Sequence, residues 1–505
     1  MREAIKSSAR RSFCKAALAA GSALIPELSA ARLREGSELL PHQAFASSFE
    51  QVPEFYGPTE VKFDRPLPEA LQGTLYRNGP ARMQRGETRY HHWFDGDGMV
   101  HSFSLQGNAL VHRAKIVKTE RYLEETRAGR FLRDGFGTGF TDSLAVLKPD
   151  DLNVANISVL PLDDEVLALW EAGSPWQLDA DTLETLGRKV FSPETDRLPF
   201  SAHPRIDPQG RIWNFGYLSG SGKLVLYDLE PDGELRRVSV IDAPNADMVH
   251  DFAITKRYLV FVLQPLHLQP GNAPSIPFYE RLHWEDGAPV HILVVDKQNL
   301  QVAHRFEVPA FFAFHMGNAW EDGSAIHIEV ATGESFKPLM ETIRQATRAL
   351  PLSTPQAEPA TIEIVLDTIN HRAAVTRLPG SGVDFPRFDQ RFTGLPTQQL
   401  FMMGRSPQMS DGVFGFNRVC AIDRSSESEK IYDYNAETLA EEHIFVPAPG
   451  FDQGKGWLVG TRYNWRCGRT SVSVFDAQHI DDGPLAECHL PYSLPLGLHG
   501  QFVPA

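Results

Sequence analysis

The chain runs to 505 residues and carries 64 acidic against 49 basic side chains, a net charge of −15. That is more length than most single cores hold, and the wrong sign for a broad nucleic-acid-binding face. Hydrophobic residues at 42% and charged residues at 22% exclude disorder and coiled coil. The 4 Cys, none in a CxxC pair, exclude a disulfide scaffold and a thiolate zinc site. The 31 Phe point to generous core packing or to an aromatic-lined cavity.

Residues 1–31 read as a targeting segment. Arg10-Arg11-Ser12-Phe13 precedes the apolar run Ala16 to Ile25, and Ser29-Ala30-Ala31 follows as a cleavage site. Charged, apolar and small regions in that order form a secretory signal, and the paired arginines resemble a twin-arginine signal. The alternative is an amphipathic N-terminal helix. Export implies a bacterial periplasmic location, and a non-functional signal implies a cytoplasmic one. Residues 32–50 are expected to be a linker or N-terminal strap.

From residue 51 to 505 short β-rich runs recur between Gly, Pro, Asp and Asn: Arg211–Leu218, Leu224–Leu229, Tyr258–Leu266, Pro289–Lys297, Ser324–Thr332, Thr361–Thr368, Lys430–Asn435, Lys455–Asn464 and Thr470–Gln478. One clear helix is predicted, Phe336–Leu350, stopped by Pro351. An all-β chain of this length hides its sheet edges best by closing radially as a β-propeller. A pair of β-sandwiches is the competing architecture. Seven blades would take roughly 65 residues each, longer than compact repeat families, and no crisp repeat fixes the blade number. Asp95-Gly-Asp-Gly98 is half of a calcium loop and is read as a tight hairpin turn. Gly216…Gly222-Lys223-Leu224 has the wrong spacing for a phosphate loop.

Of the 18 His, four lie among apolar or small residues: His203, His250, His315 and His499. Their spacing corresponds to about one, one and three blades, so in a propeller all four could reach the axis. The other reading is four separate core or loop histidines. An all-imidazole set suits iron, copper, zinc or nickel. A metal-bound His needs an acceptor for its second ring N–H, and Glu171, Asp384 and Glu442 are the candidates in apolar settings.

These contexts resemble the carotenoid cleavage oxygenase family from about residue 55 to the C-terminus. The motifs run in the family's order: Leu71-Gln-Gly-Thr-Leu-Tyr-Arg-Asn-Gly-Pro80, Trp93-Phe-Asp-Gly-Asp-Gly-Met-Val-His-Ser-Phe103, the histidine segments, Asp384–Arg387 and Leu496-Gly-Leu-His-Gly500. The resemblance implies a seven-bladed propeller with a helical and loop dome over one face. It also implies one Fe(II) per chain on the axis, held by His203, His250, His315 and His499, with Glu171, the residue at 384 and Glu442 as the surrounding carboxylates. Two positions depart from the family. Asp384 stands where Glu is usual, so its hydrogen bond is expected to need a water or a shifted ring. Ile157, fourteen residues before Glu171, stands where many members have Thr.

The expected chemistry is dioxygenase cleavage of a carbon–carbon double bond in a carotenoid or apocarotenoid, with O2 as co-substrate and two carbonyl products. The same site acting on a stilbene or phenylpropenoid phenolic is one alternative. An exported non-catalytic propeller that binds an apolar ligand is another. An apolar polyene or aromatic alkene needs a tunnel lined by residues such as Phe314. Peripheral membrane contact is expected through Phe131–Val146 (Phe131, Phe136, Phe140) or Phe336–Leu350, unless both segments pack on the propeller. No nucleic-acid partner is expected.

Overall fold

The computed structural model describes residues 39–505 apart from 51, 270–274, 334, 353–359, 381–382 and 452. The expected export signal lies outside the described residues. Seven antiparallel sheets of four or five strands follow one another along the chain, beside two two-stranded ribbons. They are blade 1 (residues 55–116), blade 2 (158–188), blade 3 (205–242), blade 4 (253–308), blade 5 (312–377), blade 6 (383–433) and blade 7 (438–489). Blade 1 is completed by the last strand, Gly500–Pro504, which pairs antiparallel with Gly73–Arg82. That pairing joins the C-terminal strand to the first blade and so closes the ring. The chain is a seven-bladed β-propeller, and two sandwiches are ruled out by the seven separate sheets.

Blade stacks on blade, so both faces of the middle strands are covered. Tyr258–Leu263 and Ile212–Tyr217 are accordingly buried at every position, where a strand with one wet face would alternate. Each run predicted from composition is a strand within three residues of its expected bounds. Separate apolar clusters fill the gaps between neighbouring sheets, as Val260, Val262 and Val294 do against Ile326, Ile328 and Ile364.

One face carries a dome of loops and helices. The helix Phe336–Thr347 buries Phe336, Met340, Ile343 and Ala346, a stripe at helical spacing. It ends before the expected Leu350, where Ala349 takes a left-handed φ of 54°. The helix Glu120–Ala128 was not legible in the sequence, because its apolar face is short. It is capped by Thr119, whose side chain accepts from Tyr122 N, and ends on Gly129 at φ 66°. Residues 39–50, expected as linker or strap, form the helical turn Ala44–Ser47 with Phe45 and Phe49 buried. Ser47 Oγ lies 2.8 Å from Tyr463 OH. Asp95–Gly98 is not a hairpin: a 3-10 turn, Trp93–Asp95, leads into the strand Asp97–Gln106. Its carboxylates are taken by protein donors, Asp95 by Thr138 Oγ1 at 2.6 Å and Asp97 by Arg85 at 2.6 Å.

Candidate metal centre

Each blade brings its innermost strand to the axis. Those of blades 3, 4, 5 and 1 carry or immediately follow His203, His250, His315 and His499. Blades 6 and 7 bring Asp384 and Glu442, and blade 2 brings Ile157, with Glu171 just beyond its second strand. Three of these strands break register at the site: between Ala313 and Met316, between Asp384 and Arg387, and between Ala440 and His443. Each break sets two residues of the inner strand against one on its partner. A bulge re-aims side chains that a regular strand would send alternately to opposite faces. Phe385, at φ 55°, is the tightest case, and its left-handed backbone costs on the order of 1–3 kcal/mol. The bend lets Asp384 and Arg387 both serve the axis.

One ring nitrogen from each of the four imidazoles lies within 4.8 Å of the other three. His203 Nε2 is 3.0 Å from His250 Nε2, and His315 Nε2 is 3.1 Å from His499 Nε2. Metal–nitrogen bonds of about 2.1 Å place adjacent ligand nitrogens about 3.0 Å apart, so the donor set fits one octahedral ion. The opposite nitrogens fix the tautomers. His250 Nδ1 donates to Glu171 Oε2 at 2.9 Å, His315 Nδ1 to Asp384 Oδ1 at 2.8 Å, and His499 Nδ1 to Glu442 Oε1 at 3.0 Å. Each of these three Nε2 atoms therefore offers a lone pair inward, where a cation would be held. Among the described residues His203 Nδ1 has no such hydrogen bond to a carboxylate; it stands 4.0 Å from Asp251 Oδ1.

Burial pushes the His203 ring well below the usual histidine value, and the neighbouring imidazoles add to the effect. Burial also lowers His499, to about 4, against the pull of Glu442. Burial opposes charge on Glu442, but Arg387 and His499 outweigh it and hold the carboxyl well below its usual range. In the His315–Asp384 pair burial is likewise outweighed by the mutual attraction, which raises His315 and lowers Asp384. Burial thus favours neutral His203 and His499 while Glu442 and Asp384 stay ionised, as a dication would need; at His315 the ion would have to displace the proton that Asp384 favours. Asp384 reaches His315 directly at 2.8 Å, so the expected bridging water is not needed, and the bulge at Phe385 sets the carboxylate at that distance.

Each carboxylate is held differently. Glu442 accepts from Arg387 Nε at 2.7 Å and Gly500 N at 2.9 Å, and Asp384 from Phe385 N at 2.8 Å. Glu171 accepts the buried Tyr217 hydroxyl. Tyr217 sits in an ordinary strand and gave no sequence signal. The Arg77-Asn78-Gly79 motif clamps the last ligand: Asn78 N donates to His499 O at 2.9 Å, and Arg77 Nη1 to Glu442 O at 2.7 Å. A Cβ at Gly79 would meet Gly497 Cα at 2.3 Å, so the two glycines permit the crossing.

Above the imidazoles lies a cavity of about 820 Å³, lined by Phe45, Trp93, Phe94, Ile157, Phe312, Phe314 and Phe385 among others, with His250, His315 and His499 in its wall. The Phe314 ring is 5.0 Å from the His250 ring. Ile157 donates its N–H to Leu169 O at 3.0 Å and accepts from His499 N at 3.2 Å, presenting no hydroxyl to the cavity. Phe131 packs inward on Tyr90 at 3.8 Å, and Phe136 and Phe140 pack against the core. The Phe336–Thr347 helix likewise turns its large apolar residues inward. In and beside the first segment the exposed apolar side chains are instead Leu144, Val146 and Leu147, at 48, 47 and 88%, while Leu350 ends the second at 38%; Val146 and Leu147 line the cavity mouth. Among the described residues no helix is long and apolar enough to cross a membrane.

Fold and site together define a seven-bladed propeller whose four axial imidazoles form a metal-ligand set on the wall of an aromatic cavity. Residues 49–504 match the family described as retinal pigment epithelial membrane protein, and the chain belongs to that family, the carotenoid cleavage oxygenases. It is 31% identical over 461 residues to the apocarotenoid-15,15'-oxygenase of Synechocystis, covering 86% of this chain and 91% of that one. It is 29% identical to the isoeugenol monooxygenase of Pseudomonas nitroreducens, covering 88% and 94%. The crystal structure of cobalt-substituted Synechocystis apocarotenoid oxygenase superposes with a TM-score of 0.81 at 26% identity, covering 92% of this chain and 99% of that one.

Proposed function

We propose that this protein is an Fe(II)-dependent dioxygenase that cleaves a carbon–carbon double bond of a carotenoid or apocarotenoid, consuming one O2 and giving two carbonyl products. The observation that carries the reading is the convergence of four imidazoles on the wall of an aromatic cavity, backed by three carboxylates. His203, His250, His315 and His499 would hold one iron ion per chain, with Glu171, Asp384 and Glu442 orienting three of them. Bound Fe(II) supplies electron density to O2, which zinc does not.

The protein's own part is positioning and exclusion of water. Phe314 and Phe385 flank the imidazoles and offer flat apolar surface to a conjugated alkene. Ile157 limits access by bulk alone. No acid–base side chain is required, because O2 adds across the alkene without net proton transfer. Similarity to an enzyme named isoeugenol monooxygenase supports a second reading, in which the alkene belongs to a phenylpropenoid or stilbene. Product identification by mass spectrometry after incubation with polyenes and phenylpropenoids separates the two: turnover of the phenolics alone would overturn the carotenoid reading.

Delivery and location belong to the same proposal. Val146 and Leu147 at the mouth, with the exposed Leu144 beside them in sequence, would meet a lipid surface from which an apolar substrate is drawn. With the net charge near −18 once residues 1–31 leave, that contact must be apolar. Export by a twin-arginine route to the periplasm is tested by fractionation of the wild type and of a variant with both Arg10 and Arg11 changed to Lys; unchanged location would overturn it.

A further inference from the structure

Five cationic side chains line the cavity: Arg121, Lys148, Arg281, Arg405 and Arg418. Three have carboxylate partners. Arg121 pairs with Glu125 at 3.2 Å, Lys148 with Glu120 at 2.6 Å and Arg418 with Asp433 at 2.5 Å. Among the described residues neither Arg281 nor Arg405 has a carboxylate within 4.0 Å. The two differ in how they are held. The Arg281 guanidinium makes no hydrogen bond among the described residues, whereas Arg405 is fixed. Its Nη1 donates to Val413 O at 2.6 Å and contacts Met409 Sδ at 3.1 Å, and its Nη2 donates to Ser410 O at 3.1 Å.

Those contacts orient Arg405 without neutralising it, and among the described residues its Nε–H meets no acceptor. Burial lowers the pKa of this guanidinium, with the more distant Asp411 acting against the shift; the group stays charged at neutral pH. A half-buried cation facing an apolar cavity is costly unless a ligand supplies an acceptor. A wholly hydrocarbon ligand would strip water from Arg405 and return nothing. A ligand ending in a carboxylate or carbonyl oxygen would restore the lost hydrogen bond, and the oriented guanidinium spends little entropy in making it.

We propose that Arg405 is a specificity-determining residue that receives the oxygen-bearing end of the substrate, a carboxylate better than a carbonyl and either better than hydrocarbon. The proposal rests on the cleavage reading above and narrows its substrate class to polyenes or aryl alkenes with an oxidised terminus. Charge and geometry make the discrimination two-sided: the site favours the oxygenated end and rejects its absence.

The test is equilibrium binding to the full-length protein, read from quenching of its tryptophans; Trp93 and Trp170 line the cavity. The probes are all-trans-retinoic acid, all-trans-retinal and the matched hydrocarbon ending in a methyl group. Wild type should bind the acid about tenfold more tightly than the hydrocarbon, with the aldehyde between. Arg405→Gln should abolish that ratio with hydrocarbon affinity unchanged. Arg405→Lys, which keeps the charge and protects against a loss of fold in the first variant, should retain part of it. An unchanged ratio in Arg405→Gln, or a ratio lost in Arg281→Gln instead, overturns the assignment. Binding of all three probes without preference also overturns it and leaves the cleavage reading intact, whereas failure of every probe to bind overturns both.

Discussion

The axis and the dome are built by different physics. At the axis, seven innermost strands converge, and three of the four imidazoles are held by a carboxylate within 3.0 Å. In the dome, the cavity wall is assembled from a 3-10 turn, single helices and loops, and its contacts are aromatic edges, such as Phe45 against Trp93 and Phe414, each at 5.1 Å. Directional hydrogen bonds on a closed scaffold suit a fixed reaction centre. Non-directional apolar packing on loops suits a surface that adapts to substrate length. Changes at the axis should therefore act on metal retention and rate, and changes in the dome on selectivity and stability.

The largest effect is expected from His315→Ala, which removes one of four ligands and should abolish both iron retention and oxygen uptake, read by metal analysis and an oxygen electrode. Deleting residues 499–505 removes His499 and the strand that closes blade 1, and should do the same; retained activity in either would contradict the site. Next comes Glu442→Gln, which weakens the acceptor of His499 and leaves Arg387 without its carboxylate. Iron affinity or activity should fall about 10- to 100-fold.

Phe45→Ala sharpens the contrast from the other side. It should cost about 3 kcal/mol in urea unfolding, shift the preferred polyene length and leave iron content unchanged. Iron loss in that variant would show that axis and dome are not separable. Tyr217→Phe removes one hydrogen bond from Glu171, worth about 1 kcal/mol, and should lower iron affinity only about fivefold. The smallest effect is expected from Leu147→Ser, which should reduce flotation with neutral liposomes and leave activity on detergent-dispersed substrate unchanged.

Much of the axis was legible because its chemistry needs particular residue types in particular surroundings. Four histidines in apolar settings and three carboxylates stood out from their sequence neighbours, and the family motifs placed them together. The bulges that aim them were not legible, because a register break depends on the facing strand. Phe131 shows a second limit. A run rich in Phe beside a loop reads equally as membrane contact or core, and only the fold shows that Phe131 stacks on Tyr90 while Leu147 stands in solvent. Tyr217 and Arg405 were invisible for a third reason: their significance lies in which partner they have or lack.

The most direct measurement is cleavage under 18O2 of a symmetrical polyene by the iron-loaded protein, with rapid reduction of the products before mass analysis. The dioxygenase account predicts one labelled oxygen in each of two carbonyl fragments. Label confined to one fragment, or polyene binding without oxygen consumption, would contradict it.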